Sequence, residues 1–221
     1  MTETSPLGTI FSLLGGMDGL SEEEVTELQL LQGHGVFGIE MRIVDEHNEE
    51  LPWDGEAFGA LKVKGPWVAS GYYGMSQVPG SEGCPVDEKG WFDTGDVATI
   101  NPQGFMKITD RTKDVIKSGG EWVSSIDIEN AAVSHPAIAE AAAIGRYHPR
   151  WTERPLLVAV LQPGDSASSD EVRAFLKDKL HKWSLPDDVV FVEELPHTAT
   201  GKLNKLALRK SLEDYEFPGT D

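Results

Sequence analysis

The hydrophobic period of this chain changes once, beside the stretch "DRTKDVIKSGGEW" (Asp110 to Trp122). Before it, apolar and polar residues alternate. "FGIEMRIVD" sets Phe37, Ile39, Met41 and Ile43 on one side and Glu40 and Arg42 on the other, the pattern of a half-buried strand. "GALKVKG" repeats it with Leu61 and Val63 inward, and "DVATINPQGFMKITD" reads as two strands around an Asn-Pro-Gln-Gly turn at Asn101 to Gly104. Earlier, "SEEEVTELQLLQ" has a capping serine, early glutamates that suit a helix dipole, and a weak stripe of Val25, Leu28 and Leu31. Residues 36 to 109 are therefore expected to be antiparallel β, part of a barrel or curled sheet.

After Arg111 the spacing alternates between helix and strand. "SSIDIENAAVSHP" starts on serine caps and stops before Pro136, as a helix does. "AIAEAAAIG" is ambiguous on propensity, and its length and place before a loop assign it to a strand. "PLLVAVLQPG" and "DVVFVEEL" read as strands. "SSDEVRAFLKDKLH" reads as a helix with Val172, Phe175, Leu176 and Leu180 on one face and a capping box of Ser168 and Glu171. "NKLALRKSLED" reads as a helix with Leu206 and Leu212 on its apolar face. The fold class expected is α+β: an antiparallel β-barrel-like subdomain over residues 1–110, then a small α+β domain over residues 111–221.

Charge and cysteine content narrow the function. The 37 acidic residues against 19 basic ones give a net charge of −18, which argues against binding nucleic acid or an anionic membrane surface. The single cysteine, Cys84, excludes an internal disulfide framework and fits a reducing cytosol, so a cytoplasmic location is expected. No run is apolar and long enough for a transmembrane segment, and "MTETSPLGTIF" does not read as a secretory signal. None of the 6 histidines has metal-ligand spacing. There is no Ser-His-Asp order, Rossmann fingerprint or Walker loop.

Four short segments carry residues suited to chemistry, and each also has a plainer reading. In "GWFDTGD" (Gly90 to Asp96), Asp96 at a strand start can accept hydrogen bonds from two ribose hydroxyls; a turn between strands explains the same residues. In "DRTKDVIKSGGEW", Arg111 offers a rigid donor fork for ribose or phosphate, Lys113 sits where a hinge would be, and Gly119 and Gly120 permit close backbone approach; a solvated linker also fits. In "LPHTATGKLNK", Lys202 on a polar loop can put a compact charge on a developing phosphate charge, although a loop lysine is most often simply solvated. In "MTETSP", Thr2 and Glu3 suit a phosphate and a Mg²⁺ ion, or an unstructured terminus.

Taken together and in order, "MTETSP", "GWFDTGD", "ITDRTKDVIKSGGEWVSSIDIE" and "LPHTATGK" closely resemble the later core motifs of the adenylate-forming enzymes, a superfamily of acyl-CoA synthetases, luciferases and peptide-synthetase adenylation domains. "KSGGEWVSSIDIEN" looks most like the fatty-acyl-CoA synthetase branch, including medium-chain and methylthio-carboxylate ligases. The resemblance implies a reaction in which a carboxylate attacks the α-phosphate of ATP, releasing pyrophosphate, and the CoA thiol then displaces AMP from the acyl-AMP. Residue by residue, it implies phosphate contact by Thr2, Mg²⁺ binding by Glu3, ribose binding by Asp96 and Arg111, a hinge at Lys113 and an adenylation role for Lys202. Gly119 and Gly120, with Glu121 and Trp122, correspond to the loop lining the CoA channel. Trp122 departs from the arginine that some acetyl-CoA synthetase relatives carry. The second domain is then a mobile lid.

The resemblance also implies a phosphate-gripping loop upstream of "TETSP", and these 221 residues do not contain it. The expectation is a C-terminal piece of a longer ligase whose partner is an upstream N-terminal domain, with a homodimer allowed. By itself the chain is expected to bind ATP poorly and not to turn over. The rivals are a non-catalytic stand-alone lid module and part of a peptide-synthetase adenylation domain.

Overall fold

A computed structural model describes residues 1–219 of the chain. The backbone divides into two compact units, one ending at Thr112 and one starting at Lys113.

The first unit holds β1 (Thr9–Ile10), α1 (Glu22–Gln29), β2 (His34–Gly35), β3 (Glu40–Val44), β4 (Phe58–Lys64), β5 (Phe92–Ile100) and β6 (Met106–Arg111). β1 and β2 form a small antiparallel pair, and β3-β4-β5-β6 form an antiparallel sheet in that order. The sheet is α+β in context but is an open sheet and not a barrel: β3 and β6 are its two edges, and four strands are too few to close at a normal tilt. Ile43, Leu61, Val63, Phe92, Ile100 and Met106 fill its core. Two side assignments, Phe37 inward and Arg42 outward, are corrected. Phe37 is 97% exposed because the strand begins only at Glu40, after a turn through Gly38 at φ 86°. Arg42 is buried instead of solvated: its guanidinium lies 4.4 Å from the Trp91 ring and pairs with Asp87 at 3.2 Å. In α1, Ser21 and Glu24 close a capping box, but no residue of the helix is buried.

The second unit holds β7 (Ile116–Ser118), β8 (Glu121–Val123), α2 (Ser125–Val133), β9 (Ile138–His148), β10 (Thr152–Leu161), α3 (Ser169–Leu176), β11 (Asp188–Phe191) and α4 (Lys205–Ser211). β10 is central: β9 pairs with it antiparallel, β11 parallel, and β7 meets its first residue. Leu157 and Ala159 enter one core with Ile128, Val172 and Leu176, while Leu156 and Val158 enter another with Ile144, Leu195 and Leu208. Both faces of β10 are covered, which is why "PLLVAV" is continuously apolar. The alanines of "AIAEAAAIG" do form a strand, and Ser168 and Glu171 do cap α3. On α4, Leu206 is 76% exposed; Leu208, one position pair along, is the buried residue. The short hairpin β7–β8 has no counterpart among the sequence expectations.

Asp188 at the start of β11 accepts hydrogen bonds from the hydroxyls of Tyr215 and Ser169 and from Val189 N–H. Burial works to raise its pKa, but these bonds outweigh burial and hold the carboxyl below the ordinary aspartate value. Burial, then the bond to Asp188, pushes the Tyr215 phenol up. Asp188 therefore adds stability above the ordinary aspartate pKa that is lost as pH falls through its lower folded value. Tyr215 adds stability below the ordinary tyrosine pKa that is lost as pH rises through its higher folded value. Tyr215→Phe is expected to cost about 1 kcal/mol near neutrality, allowing for solvent screening. Urea unfolding should show that difference shrinking on acidification as Asp188 protonates.

Candidate active site

In the first unit, β5 and β6 bring together residues far apart in sequence. Their register sets Asp96 opposite Arg111, and Arg111 Nη1 donates to Asp96 Oδ1 at 2.7 Å. The "DTG" before Asp96 explains how it is aimed. Gly95 takes φ 69°, a left-handed conformation that favours glycine. Asp93 Oδ1 accepts from Gly95 N–H at 2.9 Å, and Thr94 Oγ1 accepts from Asp96 N–H at 3.1 Å while donating to Leu61 O at 2.9 Å. Asp96 is thus mid-strand in a kinked β5, not in a turn or at a strand start.

Asp96 lines a cleft of about 240 Å³ whose other walls include Thr4, Ile39, Met41, Leu61 and Met106. Burial in that setting raises its pKa, and Arg111 opposes the rise. Glu3 interacts electrostatically with both Asp96 and Arg111. Its carboxylate accepts from the Tyr72 hydroxyl at 2.9 Å, and backbone and Tyr72 hydrogen bonds hold its pKa down. Burial, then Glu3, pushes the Tyr72 phenol up. Thr4 is buried, bonded to Met1 O and bridged to Val68, so the N-terminal segment is tied to the unit. Thr2 is exposed beside it. Sequence reasoning missed Tyr72 and Thr4; the "GYYG" stretch gave no spacing signal that would have pointed to Glu3.

Among the described residues no cluster of three or more His, Cys, Asp or Glu could hold a metal alone. A single ionised carboxylate such as Glu3 fits Mg²⁺, which takes one or two protein carboxylates and completes its shell with substrate phosphates and water.

In the second unit, Gly119 and Gly120 form the two-residue turn of the β7–β8 hairpin, with φ 62° and 92°, as a type I′ turn requires. A Cβ on Gly119 would lie 2.8 Å from the Trp151 ring; one on Gly120 would meet open space. Glu121 is exposed, and half-buried Trp122 carries the Lys117 ammonium 5.3 Å from its ring centroid. Lys202 closes a separate tight loop: Thr198 N–H donates to Lys202 O at 2.7 Å, Gly201 N–H to Thr198 O at 2.9 Å, and Lys202 N–H to Thr198 Oγ1 at 3.2 Å. Its side chain is exposed. Behind that loop, Lys205 pairs with Glu129 at 2.6 Å and donates to buried Ser125 at 2.6 Å.

Lys113 is exposed between two anchors. Thr112 N–H donates to Gly95 O at 3.0 Å within the first unit, and buried Asp114 pairs with Arg209 at 2.8 Å within the second.

The family profile described as AMP-binding enzyme matches residues 1–73, and the profile described as AMP-binding enzyme C-terminal domain matches residues 127–202. The chain belongs to the AMP-binding enzyme family. Among AMP-binding enzymes, it is 49% identical over 214 residues to the 3-methylmercaptopropionyl-CoA ligase of Ruegeria lacuscaerulensis, covering 97% of this chain and 39% of that protein. It is 45% identical over 214 residues to the medium-chain-fatty-acid–CoA ligase of Ectopseudomonas oleovorans, covering 97% of this chain and 38% of that one. The chain thus spans about two-fifths of the length of these curated relatives. Among solved structures, ATP-bound MatB from Rhodopseudomonas palustris matches 83% of the chain and 36% of its own, with TM-score 0.72 and 32% identity. The o-succinylbenzoate CoA synthetase of Bacillus subtilis with its acyl-adenylate matches 90% of the chain and 38% of its own, with TM-score 0.71 and 29% identity.

The electrostatic balance at Asp96 is open to direct measurement. Arg111→Gln removes the cation that opposes burial, so the Asp96 carboxyl should titrate at higher pH than in the parent chain. Carboxyl-carbon NMR of the two proteins reads this shift, and equal titration curves would mean that Arg111 does not act on Asp96.

Proposed function

We propose that this chain carries the nucleotide-ribose site, hinge, CoA loop and adenylation lysine of an ATP-dependent acid–thiol ligase acting on a fatty, medium-chain or thioether carboxylic acid. The observation that carries the reading is the Asp96–Arg111 pair at 2.7 Å, with Glu3 beside it. Asp96, its side chain 15% exposed, is a pre-aligned acceptor for two ribose hydroxyls. Arg111 keeps donors free for the nucleotide and holds the carboxylate in place. Thr2 contacts the α-phosphate, and Glu3 supplies the protein carboxylate of a Mg²⁺ site. When bound, that ion neutralises charge on the phosphate oxygens.

In the first half-reaction a carboxylate oxygen of the substrate bonds to the α-phosphorus and pyrophosphate leaves. Lys202 puts its ammonium against the charge that develops between carboxylate and phosphate. In the second, the CoA sulfur bonds to the acyl carbon and AMP leaves, with the Gly119–Gly120 turn, Glu121 and Trp122 beside the thiol arm. Lys113 is the pivot between the two half-reactions. Support comes from the CoA-ligase names of the relatives and the ATP-bound state of a structural match. The reading includes an upstream N-terminal domain as partner for the phosphates and acyl chain, a cytoplasmic setting and a homodimer. No helix among the described residues is long and apolar enough to cross a membrane.

A chimera tests this without assumptions about the gene: the chain replaces the matched segment of the Ruegeria ligase. Mass spectrometry should find acyl-AMP and acyl-CoA. Lys202→Ala should lower acyl-AMP formation by on the order of 10²-fold or more, yet still convert supplied acyl-AMP and CoA to acyl-CoA. Lys113→Pro should spare one half-reaction and block the other. A Lys202→Ala chimera that adenylates normally would sink the assignment.

A further inference from the structure

Four consecutive residues at the entry to β10 all touch the Gly-Gly hairpin. Trp151 O accepts from Gly119 N–H at 2.8 Å, and its ring backs Gly119 so closely that no Cβ fits. Thr152 pairs with Ser118. Glu153 Oε2 accepts from Lys117 N–H at 3.0 Å. Arg154 Nη1 donates to Ser118 Oγ at 3.0 Å.

Arg154 uses its whole fork. Nε and Nη2 grip Asp187 at 2.9 and 2.8 Å, and the remaining donors reach Trp183 O at 2.8 Å and Leu185 O at 3.0 Å. Its side chain is 12% exposed. The segment is also strained: Thr152, a β-branched residue, sits at φ 67°. Short hairpins are marginal by themselves. Here two largely covered charged side chains and a strained residue fix the backbone of a hairpin whose tip, Gly119 and Gly120, is exposed. A solvated turn has no need of such fixing.

We propose that Glu153 and Arg154 are positioning residues for the thioester half-reaction: they lock Lys117 and Ser118, and so set where the Gly119–Gly120 backbone meets the thiol arm of CoA. This rests on the reading of the hairpin as the CoA loop. Neither residue acts on adenylation.

Hydrogen–deuterium exchange on the 221-residue chain reads the lock directly. Glu153→Ala and Arg154→Ala should speed exchange across Lys117 to Gly120 about tenfold or more. Glu153→Gln, whose amide oxygen still accepts from Lys117 N–H, should not. In the chimera, Glu153→Ala should raise the KM for CoA or lower the thioester rate by on the order of 10²-fold while acyl-AMP forms at the parent rate. Glu153→Gln should restore CoA handling, and Arg154→Lys substitutes for Arg154→Ala if the latter does not fold. Unchanged exchange in Glu153→Ala overturns the proposal. So does a loosened hairpin with normal CoA kinetics when Gly120→Val, which strains the turn itself, impairs them. If Gly120→Val also leaves CoA kinetics normal, the CoA reading of the hairpin falls first and the positioning role falls with it.

Discussion

The architecture depends on how the chain is anchored on each side of Lys113. The last tie of the first unit is the bond from Thr112 N–H to Gly95 O, and the first tie of the second is the pair of buried Asp114 with half-buried Arg209. A buried carboxylate is costly unless a well-placed donor meets it, so Asp114 commits the chain to α4 three residues after β6 ends at Arg111. Each unit has its own apolar core. Every candidate functional group must therefore be aimed by its own unit: Asp96 and Arg111 by the β5–β6 register, Lys202 and the Gly-Gly turn by the second sheet and its helices.

The acidic excess sharpens this division. With 37 acidic residues against 19 basic ones, carboxylates are plentiful partners for the cations of this chain. Arg42, Arg111, Arg154, Lys205 and Arg209 each hold a specific carboxylate. These pairs act as pins between strands, loops and helices, because breaking one would leave a partly buried charge uncompensated. Lys113 and Lys202, like the exposed Lys107 and Lys210, have ammonium groups with no hydrogen-bond or ion-pair partner among the described residues. A lysine whose field is not quenched by a neighbouring carboxylate remains available to an incoming anion.

Much of the fold was legible because local period and caps agreed with packing. The capping serine at Ser21, the capping box at Ser168 and the strand at "PLLVAV" followed from sequence. The failures came where a tertiary partner overrode the local pattern. Arg42 looks solvent-facing by alternation, yet Trp91 and Asp87, remote in sequence, bury it. Phe37 continues the apolar alternation but lies before the strand begins. Of the site, the motif residues could be named, while Tyr72, Glu153 and Arg154 could not. Their roles lie in long-range bonds, among them those to Glu3, Lys117 and Ser118, and no periodicity encodes such a bond.

Asp96 shows why the geometry matters more than the residue type. An aspartate on an exposed strand would be a weak acceptor, because water competes for it. Burial beside Met41, Leu61 and Met106 removes that competition and strengthens any hydrogen bond the carboxylate accepts. The same burial raises its pKa and would favour the neutral acid, a poorer acceptor. Arg111 opposes this, and it can do so because its side chain is 56% exposed and keeps its own hydration. Burial supplies the strength of the site and the half-exposed arginine preserves its charge; neither would suffice with the other removed.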